Sequence, residues 1–327
     1  MKRYLLGSSL VVVAALGGAF GFFAMRKPAM AAPSSVKVEM SSERIARGKY
    51  LFQVVSGCDD CHTDRDWTKF SAPPNVLTRG RGVTFPADMG LPGKVSSKNI
   101  TPDPVTGLGA WTDGEKIRAI REGVSRDGYA LFPMMPYNVY RHMSDDDVNA
   151  LVAYLNSLPP ITHAVPPTQL DFPVNLLIKS APQPVAGSVV TPDRADPVKY
   201  GEYMVHIAGC IECHTPSEKG EPVKGMTFAG GQEFHLGKFL VHTANITPDA
   251  ETGIGEWTEA RFIQKFRGYA QFAETGAPKA VQANFTMMPW TAFSKLTDED
   301  LKAIFAYLRT VKPVYNRVDK HPELPQS

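Results

Sequence analysis

Cysteine is scarce in this chain: four residues in 327, Cys58, Cys61, Cys210 and Cys213. With no others present, any disulfide or metal chemistry that needs a thiol has to use these two closely spaced pairs. Long runs of lysine or arginine are also missing, and the formal net charge is only +2. Non-specific nucleic-acid binding needs a dense basic surface, so that class of function is excluded. Strand-like alternation is sparse outside the loops between the cysteine pairs and residues 99 and 245. What remains reads as a mainly α chain with long loops.

The first residues have a character of their own. Met1-Lys2-Arg3 is basic, Tyr4 to Met25 carries no charge, and Arg26-Lys27 closes the stretch before the small-residue sequence Ala29-Met30-Ala31. Residues 1–31 therefore read as a secretory signal peptide or as a retained membrane anchor, and both alternatives stand. A hydrophobic N-terminal helix is expected in either case. Both place the remainder across the inner membrane, in the periplasm, and an anchor would make that membrane a partner.

Self-comparison reveals a duplication. Cys58-Asp59-Asp60-Cys61-His62 matches Cys210-Ile211-Glu212-Cys213-His214, and Asn99-Ile100-Thr101-Pro102-Asp103 recurs unchanged as Asn245-Ile246-Thr247-Pro248-Asp249. A Thr-Gly-x-Gly-x-Trp stretch then ends at Trp111 and at Trp257. Met134-Met135-Pro136 returns as Met287-Met288-Pro289, and Ala153-Tyr154-Leu155 as Ala306-Tyr307-Leu308. Five blocks in one order mean two copies of one unit. The expected domains are 42–160 and 196–316, joined by a proline-rich linker at 161–195 in which Leu176, Leu177 and Ile178 pack onto one domain. A helix is expected from Ser42 to Ser56, delivering Cys58. Thr112 with Glu115 forms a capping box, while Ser144 with Asp147 and Thr297 with Asp300 open later helices. Met143 and Leu296 are placed to staple onto Val148 and Leu301.

Each C-x-x-C is followed at once by histidine, the attachment signature of c-type haem. Two thiols at this spacing can add to the two porphyrin vinyl groups, and the next residue sets an imidazole under the iron. A zinc site built from the four cysteines would not require His62 and His214. Thioredoxin-like redox pairs would need a βαβ context, which is absent. Two covalently bound haem c groups are therefore expected, on Cys58, Cys61, Cys210 and Cys213, with His62 and His214 as proximal ligands.

A closed electron-transfer haem needs a sixth ligand, and methionine sulfur favours the ferrous state. Met135 lies 73 residues after His62, and Met288 lies 74 after His214. Both precede proline, which biases them to extended geometry, so they are preferred over Met134 and Met287. Asn99, Thr101 and Trp111, with Asn245, Thr247 and Trp257, have two readings. They bond haem propionates, or they form a structural loop with a core tryptophan. Of the other histidines, His206 lies nearest a haem motif.

These blocks resemble the cytochrome c subunits of periplasmic bacterial dehydrogenases that act on alcohol, gluconate, aldehyde or nicotinate, over roughly residues 42–315. The resemblance implies a class I cytochrome c fold in each half, with His/Met-ligated haem. It also implies that electrons pass from a partner dehydrogenase to a quinone, an oxidase or another cytochrome. Many such subunits carry three haem domains and this chain has two. The rival reading is a dihaem enzyme of peroxidase type with one open haem, against which the matched Met-Pro pairs argue. A thiosulfate-oxidising enzyme with a distal cysteine is excluded because every cysteine is committed. A haem sensor would need a signalling domain, and none is attached.

Overall fold

In each repeat the first and last helices pack against one another. The computed structural model in which this is seen describes residues 21–22, 25–218 and 220–323. In the first repeat α1 (Ser42–Tyr50) is capped by the Ser41 side chain, which accepts from the Arg44 amide. It runs on as a wider π-helical turn, Leu51–Val55, whose Leu51, Phe52, Val54 and Val55 are buried. The helix expected over 42–56 is thus continuous, but its pitch opens where the apolar residues crowd the core. Gly57 then turns the chain in the left-handed region (φ 60°) into α2 (Cys58–His62). There follow α3 (Asp113–Glu122) with its Thr112/Glu115 capping box, α4 (Tyr137–Tyr140) and α5 (Asp145–Ser157).

A short α6 (Val174–Leu177) lies between the repeats. The second repeat has α7 (Pro197–Ile207), α8 (Cys210–His214), α9 (Glu259–Arg267), α10 (Gln271–Thr275), α11 (Trp290–Phe293) and α12 (Asp298–Leu308). Among the described residues the sheets are three antiparallel pairs. They are β1 (Gly93–Lys94) with β2 (Gln169–Leu170), β3 (Ser217–Glu218) with β4 (Glu221–Pro222), and β5 (Glu233–Leu236) with β6 (Phe239–His242). Met143, Val148, Leu296 and Leu301, the residues expected to staple the starts of α5 and α12, are all buried in the core.

Glycine permits the helix crossings. A Cβ on Gly48 of α1 would stand 1.8 Å from the Ala150 carbonyl oxygen of α5, and one on Gly201 of α7 would stand 1.9 Å from that of Ala303 on α12. Backbone therefore meets backbone at equivalent points of both repeats, at a distance no side chain tolerates.

Two expectations need adjustment. Most of the hydrophobic N-terminal stretch lies outside the described residues, and no helix among those described is long and apolar enough to cross a membrane. The proline-rich segment is not a bare spacer. Thr168 bonds to Ser96, and β2 pairs with β1 of the first repeat. Leu176 and Ile178 are half-buried but Leu177 is 49% exposed, because one turn of helix cannot present three successive residues to one surface.

One apolar core runs through both repeats, joining Phe52, Leu151 and Tyr154 to Met204, Ile207 and Leu301. Around it the repeats exchange matched hydrogen bonds. Tyr50 Oη donates to Asp300 Oδ2 and Tyr203 Oη donates to Asp147 Oδ2, each at 2.6 Å. Each tyrosine oxygen also accepts from the N-cap amide of the other repeat's last helix, Thr297 N at 3.1 Å and Ser144 N at 3.2 Å. The equivalence of the two exchanges gives the interface an approximate two-fold symmetry.

Candidate haem centres

Left-handed Gly57 and Gly209 open α2 and α8, whose Cys61, Cys210 and Cys213 line a cavity while Cys58 packs against the core. Cys58, Cys61 and Cys210 are half-buried, Cys213 is exposed, and all four are free thiols. Burial, followed by nearby negative charge, pushes Cys61 and Cys213 up to about 11 and Cys210 to about 12. With their pKa values raised in this way the free thiols are neutral.

His62 and His214 are held alike. His62 Nδ1 lies 2.8 Å from the Lys98 carbonyl oxygen, and His214 Nδ1 lies 2.7 Å from that of Ala244. A carbonyl only accepts, so Nδ1 carries the proton and Nε2 keeps its lone pair for a metal. Burial also lowers both imidazole pKa values, which favours the neutral form that ligation needs. Lys98 and Ala244 escaped the sequence reading because a backbone carbonyl leaves no side-chain signature. Their position, directly before Asn99 and Asn245, is the one signal that could have found them.

A cavity of about 1180 Å³ adjoins the second motif. Cys210, Cys213, His214, Ile254, Trp257 and Met288 line it from the second repeat. Gly57, Asp60, Cys61, Phe70, Met134 and Tyr140 line it from the first, so the two attachment motifs open towards each other. The thiol of Cys213 is among the groups that raise Cys61, and Asp60 among those that raise Cys213. Asn138 Nδ2 also donates to Glu212 Oε1 across the boundary at 3.4 Å.

The Met-Pro segments adopt one conformation in both repeats. Pro136 (φ −80°, ψ 56°) and Pro289 (φ −78°, ψ 62°) are the centres of inverse γ-turns. Tyr137 N donates to Met135 O at 2.7 Å, and Trp290 N to Met288 O at 2.8 Å. Met135 and Met288 both pack against the central core. Met287 packs against a satellite cluster with Leu236, Phe239 and Phe285; Met134, Met287 and Met288 line the shared cavity, and Met135 does not.

In the Asn-Ile-Thr-Pro-Asp loops the polar side chains bond to protein. Asn99 Nδ2 donates to the Ile161 carbonyl (2.7 Å) and to Thr106 Oγ1 (3.0 Å), while its Oδ1 accepts from Thr101 N and Oγ1. Asn245 repeats the pattern with Val314, Thr252 and Thr247. These residues tie each loop to the strand of chain that follows the repeat's last helix. Trp111 is half-buried, and Trp257 lines the cavity with the Arg261 guanidinium 4.6 Å from its ring centroid. His206 lies beside His142, their ring centroids 6.0 Å apart.

Neutral thiols in pairs, a deprotonated imidazole nitrogen beside each pair and a large, mostly apolar space fit a covalently held haem. The sequence pattern of the family described as Cytochrome c matches residues 45–159 and again 198–312. The chain belongs to the cytochrome c family. This cytochrome has two domains of that family, and two covalently bound haem c groups follow from them.

A diheme cytochrome c-type protein of Cereibacter sphaeroides is 31% identical over 323 residues, covering 96% of this cytochrome and all of that protein. The fructose dehydrogenase cytochrome subunit of Gluconobacter japonicus is 30% identical over 279 residues, 82% of this chain and 52% of that subunit. The gluconate 2-dehydrogenase cytochrome c subunit of Pantoea cypripedii is 28% identical over 282 residues, 82% of this chain and 59% of that subunit. The chain thus spans somewhat over half the length of those dehydrogenase subunits and the full length of the diheme protein.

Proposed function

We propose that this dihaem cytochrome relays single electrons in the periplasm, from a partner dehydrogenase to a quinone, an oxidase or another cytochrome. Haem, when bound, supplies one-electron Fe(III)/Fe(II) chemistry. The chain's own part is to fix two such groups in one rigid body, and the observation that carries the reading is the facing of the two attachment motifs across a shared core. In this reading His62 with Met135, and His214 with Met288, are the axial pairs. The support is the equivalent turn and core packing of Met135 and Met288, which Met134 and Met287 do not share. Asn99, Thr101, Asn245 and Thr247 act by clamping the loops, and Trp111 and Trp257 are the residues left to meet propionates. Residues 1–31 direct export and are cleaved or retained as an anchor. The relatives named as dehydrogenase subunits support a dehydrogenase as electron donor.

The test is a carbon monoxide difference spectrum of the dithionite-reduced holoprotein. No binding at either haem is expected in the native protein. In Met135→Ala and in Met288→Ala, one haem each should bind carbon monoxide. Rapid binding by the native protein at one haem would overturn the relay reading and put a dihaem enzyme in its place.

A further inference from the structure

The two methionine turns differ in their partners across the domain boundary. Met288 O accepts not only from Trp290 N but also from the hydroxyl of Ser71, at 2.7 Å, and Ser71 Oγ in turn accepts from Trp290 N at 3.1 Å. Ser71 belongs to the first repeat, 217 residues away in sequence. It is 1% exposed. Its backbone lies in the left-handed region (φ 60°), and so does that of Ala72 (φ 39°). Two successive non-glycine residues hold that conformation only where the surroundings over-determine it.

Those surroundings come from both repeats. Arg65 pins the loop from within, its guanidinium donating to Ala72 O at 2.7 Å and to Ser71 O at 2.9 Å. On the other side Phe70 N donates to Pro278 O, and Ala280 N donates to Thr68 O, each at 2.8 Å. The Phe70 ring stacks on Tyr269 with centroids 5.5 Å apart, and Tyr269 stacks on Trp290 at 4.5 Å. A loop of the first repeat is thus built against the methionine turn of the second. The arrangement is not returned. Among the described residues, Met135 O has its hydrogen bond from Tyr137 N within its own turn, and the second repeat's β3–β4 hairpin is largely exposed.

We infer that Ser71 is a positioning residue for the second haem, fixing the Met288-Pro289-Trp290 turn so that axial ligation in one domain depends on a hydroxyl supplied by the other. The inference rests on Met288 being an axial ligand. Its physical content is that any displacement of the turn that carries Met288 away from the second iron breaks the two hydrogen bonds Ser71 makes with its backbone, to Met288 O and from Trp290 N. Among the described residues, no hydrogen bond from the second repeat reaches the backbone of the Met135-Pro136-Tyr137 turn.

The experiment uses the purified holoprotein with Ser71→Ala, Ser71→Gly, Met288→Ala and Met135→Ala. Glycine accepts the left-handed backbone, so Ser71→Gly removes the hydroxyl while relieving strain, and folding is not at issue. Both Ser71 variants should weaken the ferric sulfur-to-iron charge-transfer absorption of one haem. They should also raise the apparent carbon monoxide affinity of that haem by about fivefold for each ordinary hydrogen bond lost. Combining Ser71→Gly with Met135→Ala should add the two effects, one haem open and the other with raised carbon monoxide affinity, and combining it with Met288→Ala should add nothing to Met288→Ala alone. If Met288→Ala opens one haem while both Ser71 variants match the native protein in absorption and carbon monoxide binding, the inference is overturned and the ligand reading survives. If Met288→Ala leaves both haems closed, the ligand reading fails and the inference falls with it.

Discussion

His62 and His214 each use one ring nitrogen to fix the other. The carbonyls of Lys98 and Ala244 hold Nδ1–H, and burial lowers both imidazole pKa values, which favours the neutral ring with Nε2 available. This much is nearly legible in sequence, because haem attachment requires cysteines and histidine adjacent in the chain. Asp103 is less obvious. Its carboxylate accepts from Thr106 N at 2.6 Å, from Thr106 Oγ1 at 2.8 Å and from Thr162 Oγ1 at 2.8 Å. These bonds hold it down to about 2 from an ordinary 3.8. The folded pKa lies below the unfolded one, so the contribution to stability is complete above 3.8 and is lost as pH falls towards 2. Asp103→Asn is expected to flatten the fall in thermal stability between about pH 4 and pH 2, followed by circular dichroism. An unchanged acid profile would show that the Asp103 cluster has no part in acid unfolding.

The elements succeed or fail at their crossings. Serine, threonine and acidic residues at the helix starts predicted the caps, since capping is local and the side chain bonds its own first turn. The approach of α1 to α5 and of α7 to α12 is not local, and Gly48 and Gly201 gave no sign of their purpose until backbone was seen against them. Gly48→Ala or Gly201→Ala must push two helices apart, and each should lower the unfolding free energy by at least about 1–3 kcal/mol, the usual cost of overpacking. Urea titration of the holoprotein checks this, and a neutral result at both positions would mean that the crossings are looser than the distances imply. The widening of α1 into a π turn was also invisible, because the residues concerned, Leu51 to Val55, keep helical spacing and differ only in how they meet the core.

At the scale of the whole molecule the two domains are one body. Tyr50 and Tyr203 reach reciprocal aspartates, Asp300 and Asp147, which are also bonded within their own repeats by Tyr200 and Arg47. Burial, with the adjacent carboxylate next, raises the phenol pKa of Tyr50 and Tyr203, so both remain donors well above neutrality. Tyr50→Phe and Tyr203→Phe should each cost about 1–3 kcal/mol by leaving a buried carboxylate short of a donor, and the two should act alike because the contacts are equivalent. Calorimetry of the single and double variants checks it, and no loss in either would mean that the tyrosine–aspartate bonds do not help to hold the repeats together. By itself the sequence determined the duplication, the mainly helical character, the thiols and histidines of two haem sites and the paired methionine candidates. Each of these is written in residue type and short spacing. Only the tertiary structure decided that the two motifs face each other, that tyrosines cross between repeats and that Ser71 braces the Met288 turn. Such contacts join residues 56 to 250 positions apart, and nothing in local spacing encodes which surface of one copy meets the other.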